Sequence, residues 1–254
     1  MSLEPEWLLA LIAIAFLAGC VDTLAGGGGL LTIPVLMFAG MQPAQALATN
    51  KCQAFAGTLT ATLNLTRHGQ INWRWIWPYA LTAFVCSIAG ALTLRFSEPE
   101  WLAQWVPVLL IVAAAYFGLV RMPTDRISPQ RTGLWIAIGL AAAIGFYDGF
   151  FGPGTGSLFA LALVAGLGFG LRQGTAHAKV LNAMTNLAAF LIFVTSDLVV
   201  WVAALCMIPA QIAGALIGTR LILGRGILFV RPTVVIICVA MAIKLASDLW
   251  FQGQ

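Results

Sequence analysis

Lys51 in "ATNKCQAF" and Lys179 in "TAHAKVLNA" stand inside apolar sequence. A lysine within a bilayer costs about 2.5–3.5 kcal/mol on insertion scales, so each calls for a partner or a function. Two aspartates, Asp22 and Asp148, precede glycine-rich breaks, Gly26-Gly27-Gly28-Gly29 and Gly152-Pro153-Gly154-Thr155-Gly156. Glycine lets the backbone leave the helix and expose N–H groups, which membrane depth tolerates only in a cavity lining or inside protein. The start of the next helix then offers unpaired donors and a partial positive charge, which suits an anion. The combination predicts an anion site. Gly26, Gly27, Gly28, Gly29, Gly152, Gly154 and Gly156 supply backbone donors, and Lys51 and Lys179 the balancing charge. Thr49, Asn50, His177 and Asn182 shape the pocket. Asp22 and Asp148 read either as proton carriers or lysine partners, or as caps of the short helices that follow. The competing account of the lysines is snorkelling, since Lys179 lies only about 4 residues, roughly 6 Å, from the start of its segment.

The elements that hold these residues are membrane helices. Of 254 residues, 61% are hydrophobic and 9% charged, against roughly 25% charged in a soluble domain. Ten apolar segments can be marked, at 7–25, 28–40, 44–66, 74–95, 101–120, 133–149, 156–170, 175–195, 198–219 and 231–250. Several exceed the roughly 18 residues that suggest a span, and the alternation of a membrane barrel is absent. The expected fold is all-α, a polytopic helical membrane protein. Leu17-Ala18-Gly19-Cys20 has the letters of a lipoprotein cleavage box, but the leading residues carry Glu4 and Glu6 and no basic residue, so a retained first span is expected.

The segments fall into two sets of five. A first repeat at 1–120 and a second at 133–254 are separated by the polar linker 121–132. Ile88-Ala89-Gly90-Ala91-Leu92 recurs as Ile212-Ala213-Gly214-Ala215-Leu216, and Gly19-x-x-Asp22 recurs as Gly145-x-x-Asp148. Gln45, Ala48, Lys51 and Trp73 match Gln173, Ala176, Lys179 and Trp201 at one offset. Matches that keep chain order indicate an internal duplication. If every segment crosses, Arg67, Arg74, Arg121, Arg126, Arg131, Arg172, Arg220, Arg225 and Arg231 share one side. Arg95 then falls on the other, with Glu4, Glu6, Glu98, Glu100 and Asp197. The positive-inside rule makes the first side cytoplasmic, the linker cytoplasmic and both termini external. An odd number of crossings per half makes the halves inverted, and short glycine-broken segments at matching places point to a transporter's site.

Polar residues extend the pattern. Thr175, Lys179, Asn182 and Asn186 share one helix face, as do Lys51, Thr58 and Thr62, with Asn50 and Gln53 beside them. Such stripes either line a pathway or hold helices together. The glycine runs lack the GK[ST] of a phosphate loop, and no nucleophile–base or paired-carboxylate set with solvent access can be nominated. No catalytic residue, metal ligand or cofactor is therefore expected. The five cysteines lie singly and read as packing residues. No nucleic-acid motif is visible.

The stretches "VDTLAGGGGLLTIPVLMFAGMQPAQALATNK" and "GFYDGFFGPGTGSLF", with the loops "RHGQINW" and "TSDLVVW", resemble the signature regions of the sulfite exporter TauE/SafE family. The resemblance covers nearly the whole chain. It implies a transporter of small sulfur-containing anions such as sulfite or sulfonates. The expected function is an inner-membrane secondary transporter of a small anion, working by alternating access. The alternatives are an anion channel and, further off, an intramembrane enzyme or accessory subunit. Its expected partners are the anion and membrane lipids, as a single chain or a homo-oligomer. An inside-negative potential, worth about 2.3 kcal/mol per charge per 100 mV, pushes an anion outward unaided, whereas uptake needs a coupled cation.

Overall fold

A computed structural model of the chain describes residues 5–98, 101, 105, 108, 112 and 134–223. The sequence expectations for 121–132 and 231–250, and nearly all of those for 101–120, lie outside the described residues. The described elements are α1 (Pro5–Ala25), α2 (Gly28–Phe38), α3 (Pro43–Arg67), α4 (Trp73–Arg95), α5 (Leu134–Phe150), α6 (Thr155–Leu161), α7 (Leu171–Phe193) and α8 (Trp201–Leu223). A π-helical turn, Ala162–Gly166, continues α6. No strand occurs among the described residues, so the fold is all-α as expected.

Local sequence sets the helix ends. Pro43 opens α3, behind a reciprocal capping box between Gln42 and Gln45. The Asn72 side chain accepts from the Trp75 N–H at the start of α4, at 3.3 Å. After α1 the chain turns at Gly26, whose φ of 73° is left-handed, and after α5 it turns at Gly152, with φ 94°.

Helices α1, α4, α7 and α8 are long and apolar enough to cross a membrane. With 25 residues α3 is also long enough, but it carries much of the polar content of the core. The 11 residues of α2 extend only about 16 Å, against a hydrocarbon thickness of about 30 Å. The stretch Thr155–Gly166 is similarly short, at roughly 18 Å. Segments 28–40 and 156–170 are thus half-length strokes, and a full crossing by either is corrected. Helix α2 doubles back along α1, where Gly28 lies against Ala18 and Asp22. Helix α3 doubles back along α2, where the Thr32 hydroxyl donates to Asn50 Oδ1 at 2.5 Å.

The broadest helix contacts join the first set of segments to the second: α1 with α8, α4 with α5 and α7, and α3 with α7 and α8. Small residues make this closeness possible, as expected where lipid gives helices no hydrophobic reason to associate. A Cβ on Gly214 would strike the Phe16 carbonyl oxygen, and one on Gly90 would strike that of Phe146. The repeated Ile-Ala-Gly-Ala-Leu therefore performs the same packing task twice. With Asp22 and Asp148 superposed, the contact on α5 falls one turn beyond its counterpart on α1.

These contacts are against backbone, which cannot move aside. Gly214→Val and Gly90→Val are each expected to lower stability by about 1–3 kcal/mol, read as a drop in unfolding temperature in detergent. Gly139→Ala serves as the control, because no described residue lies within 4 Å of the added methyl group, and it should be neutral or slightly stabilising.

Candidate functional site

Among the described residues, the four buried charges form two ion pairs, and each pair crosses from one half of the chain to the other. Lys51 on α3 donates to Asp148 Oδ1 on α5 at 2.6 Å. Lys179 on α7 lies 3.4 Å from Asp22 Oδ2 on α1 and also donates to the Asp22 main-chain carbonyl. An uncompensated charge at this depth would be costly, so pairing is the cheapest way to keep all four inside. Snorkelling is ruled out for both lysines in this conformation, since their side chains are 3% and 1% exposed. The expectation that the lysines carry spare positive charge needs correction, because each already has a carboxylate.

The glycine breaks meet beside these pairs. Gly26 and Gly156 touch backbone to backbone, so that a Cβ on either would strike the other break. Gly152 lies against Lys51, with its Cβ position 2.6 Å from Nζ. The Cβ position of Gly156 is 3.1 Å from Lys179 Nζ and 3.3 Å from Asn182 Nδ2. That of Gly29 is 3.4 Å from Asn50 Nδ2. Gly28, the first residue of α2, sends its N–H toward Asp22 Oδ1 at 3.4 Å. Gly27 and Gly154 are the residues on which α2 and α6 begin, Gly154 in the left-handed conformation. The two asparagines are oriented alike. Asn50 Oδ1 is taken by Thr32 and Gln53, and Asn182 Oδ1 by Asn186, which leaves each Nδ2 facing a break. The locus therefore gathers two ammonium groups, two amide donors and two stretches of unwound backbone.

Both readings of Asp22 apply, since it faces a lysine and also the first N–H of α2. Asp148 is a lysine partner, and its second oxygen accepts from the Thr185 hydroxyl.

Thr49 and His177 are placed elsewhere. The Thr49 hydroxyl accepts from the Val200 N–H at 3.0 Å, and His177 Nε2 accepts from the Asn72 N–H at 3.1 Å. Thr49 matches His177, and Val200 matches Asn72, at the offset that relates the lysines. Each bond ties α3 or α7 to the loop before α8 or α4, across the two halves. His177 Nδ1 donates to the Gln173 carbonyl at 2.8 Å, and the ring packs against Trp75 and Phe169. Both nitrogens are engaged, so the ring acts as a structural tie.

Sequence reasoning overlooked Thr185 and Thr32. A threonine in a membrane helix ordinarily bonds its own preceding turn, and Thr185 does so with Leu181 as well, so its letter gave no signal. Thr62, placed on the polar stripe, donates to the Lys179 carbonyl and links α3 to α7.

This chain matches the family described as Sulfite exporter TauE/SafE over residues 11–245. The chain belongs to that family. A relative in Escherichia coli, "Probable membrane transporter protein YfcA", is 42% identical over 96% of this chain and 91% of its own length. A "Probable membrane transporter protein" of Haemophilus influenzae is 38% identical over 99% of this chain and 100% of its own. Bacillus subtilis has a "Probable membrane transporter protein YunE", 22% identical over 96% of this chain and 97% of its own. No solved structure matches the chain. The sulfite exporter family and the apolar helices together make this a membrane protein.

The pairs predict a pattern of stabilities. Lys51→Met leaves Asp148 buried and unpaired, at a cost of about 3–5 kcal/mol. Combining it with Asp148→Leu should recover much of that loss. Thermal unfolding of the two single variants and the double variant checks the coupling. Thr185→Val should cost less, about 1–3 kcal/mol.

Proposed function

We propose that this family member is an inner-membrane secondary transporter of a small anion, most fittingly a sulfur-containing one such as sulfite or a sulfonate. The observation that carries the proposal is the convergence of Lys51, Lys179, Asn50 and Asn182 on the glycine breaks, deep between the two halves. Ammonium groups and amide donors beside two unwound stretches of backbone together form an oxyanion-binding set. The names of the family and of its relatives support transport, and the family's name supports a sulfur anion.

The site's burial favours a carrier over an open channel, because the paired groups are closed off from water in this conformation. The resident carboxylates stand where an anion would sit, so substrate competes with them for the lysines. Halves linked by crossed pairs would rock about this locus to give alternating access. In the proposed topology each half-length helix returns to the face its predecessor entered. That keeps the arginines on the sides given by the charge rule, with both termini external.

Purified protein in liposomes should move at least one of sulfite, thiosulfate, methanesulfonate or acetate faster than protein-free liposomes do. The double variant Lys51→Ala, Lys179→Ala should fall to the protein-free rate. Full transport by that variant would overturn the role given to the lysines. Binding of no anion in a thermal-stabilisation screen of the same four would overturn the transporter reading.

A further inference from the structure

Resting on that transporter reading, we propose that the two lysine–carboxylate pairs have different tasks. Lys51–Asp148 is a fixed strut. Lys179–Asp22 is the pair that opens: the substrate anion takes the place of the Asp22 carboxylate on Lys179, and Asp22 takes up a proton.

The duplication makes the pairs equivalent in sequence, but their contacts differ. Asp148 is held at both oxygens, by Lys51 at 2.6 Å and by the Thr185 hydroxyl, and its side chain is 1% exposed. Among the described residues the Asp22 carboxylate has only long contacts, 3.4 Å to Lys179 Nζ and 3.4 Å to the Gly28 N–H, and the side chain is 10% exposed. Long charge-assisted contacts are weak ones, so the Asp22 carboxylate can leave at far lower cost. Lys179 would not be stranded, because its ammonium keeps the Asp22 main-chain carbonyl as a partner. The groups that would receive an anion are on the same side: Asn182 Nδ2 and Lys179 Nζ both border Gly156.

Charge balance then requires the proton. The buried locus is neutral with two cations and two carboxylates. An anion entering alone would leave Asp22 buried and unpaired, the situation that low-dielectric surroundings penalise most. Protonating Asp22 restores neutrality. The other described elements packed around it offer no replacement cation. Helices α2 and α6 carry no titratable side chain. On α3, Lys51 is engaged by Asp148, Cys52 is neutral and Arg67 is exposed. On α7, His177 is engaged by Asn72 and Gln173 and Arg172 is exposed, and on α8 Arg220 is exposed and the Cys206 thiol cannot supply a cation. The proton arrives from water with the anion and departs with it. The O–H bond of Asp22 is the one bond made and broken, so a monoanion crosses with no net charge.

The test uses methanesulfonate and thiosulfate, which stay ionised throughout the neutral range and bring no proton of their own. In unbuffered detergent solution the wild-type protein should take up about one proton for each methanesulfonate bound. In liposomes containing a pH dye, anion flux should carry protons, and methanesulfonate flux should ignore an imposed potassium diffusion potential. Asp22→Asn should still exchange anion for anion, and any net anion flux it retains should move no protons and respond to the potential. Asp22→Glu should keep the coupling. Asp148→Asn should lose exchange and proton movement together. Proton uptake that persists in Asp22→Asn, or an Asp148→Asn variant that behaves as Asp22→Asn should, overturns the assignment while leaving the transporter reading intact. Wild-type binding without proton uptake overturns it with no variant needed. If wild-type protein neither binds nor moves either probe, the transporter reading falls and this assignment falls with it.

Discussion

Everything in this structure is organised by the need to neutralise four charges inside a membrane protein. Lys51 and Asp22 lie in the first half and Lys179 and Asp148 in the second, yet neither lysine pairs with the aspartate of its own half. The carboxylate for Lys51 lies 97 residues away and that for Lys179 lies 157 residues away, each in the opposite half. A half folded alone would keep both of its charges unmatched, a cost of several kcal/mol for each. The pairs therefore act against independent folding. The packing agrees, since α1 lies on α8 and α4 on α5 through glycines that admit bare backbone contact. The described helices on either side of 121–132 pack as one body.

Duplication has left its trace in contacts as well as letters. The bonds Thr49 to Val200 and His177 to Asn72 use unlike side chains at equivalent positions to do one job, anchoring an incoming loop through its N–H. Where the copies have diverged, the divergence has direction. Thr185 braces Asp148, and the matching position on α3 is Gly57, against which the Gln211 side chain packs instead. Equivalent residues have thus become one rigid and one loosely held pair within the same architecture.

Much of this was legible in the sequence, for physical reasons that differ by residue. Lys51, Lys179, Asp22 and Asp148 stood out because charge in apolar sequence is expensive, and the glycine breaks because unwound backbone in lipid needs a reason. The pairing could not be read, because Coulomb partners are selected by folding and leave no spacing signal. Thr49 and His177 were assigned to the pocket for their nearness to the lysines in sequence. Each lies two positions before its lysine, and residues two apart on a helix do not share a face. They point away from the lysines, to the loops they hold. Asn182, three positions after Lys179, shares its face and does border the break. The half-length of α2 was partly visible in its short apolar run, but whether it crossed depended on where α3 turned back.

The identity of the buried cation also follows from this geometry. Lys51 Nζ sits where only a glycine backbone leaves room, 2.6 Å from the Cβ position of Gly152. Lys179 Nζ is similarly close to Gly156, at 3.1 Å. An arginine carries its charge on a planar fork that binds a carboxylate best in one fixed orientation, and it needs a wider slot. The ammonium is a compact point charge on a flexible stem with three rotatable donors. In the proposed cycle Lys179 gives up one oxygen and accepts another by turning its N–H groups, while the Asp22 main-chain carbonyl holds its position. A site that must hold charge at rest and exchange its counter-ion in operation is better served by lysine, and the glycines that border both ammonium groups are the space that choice requires.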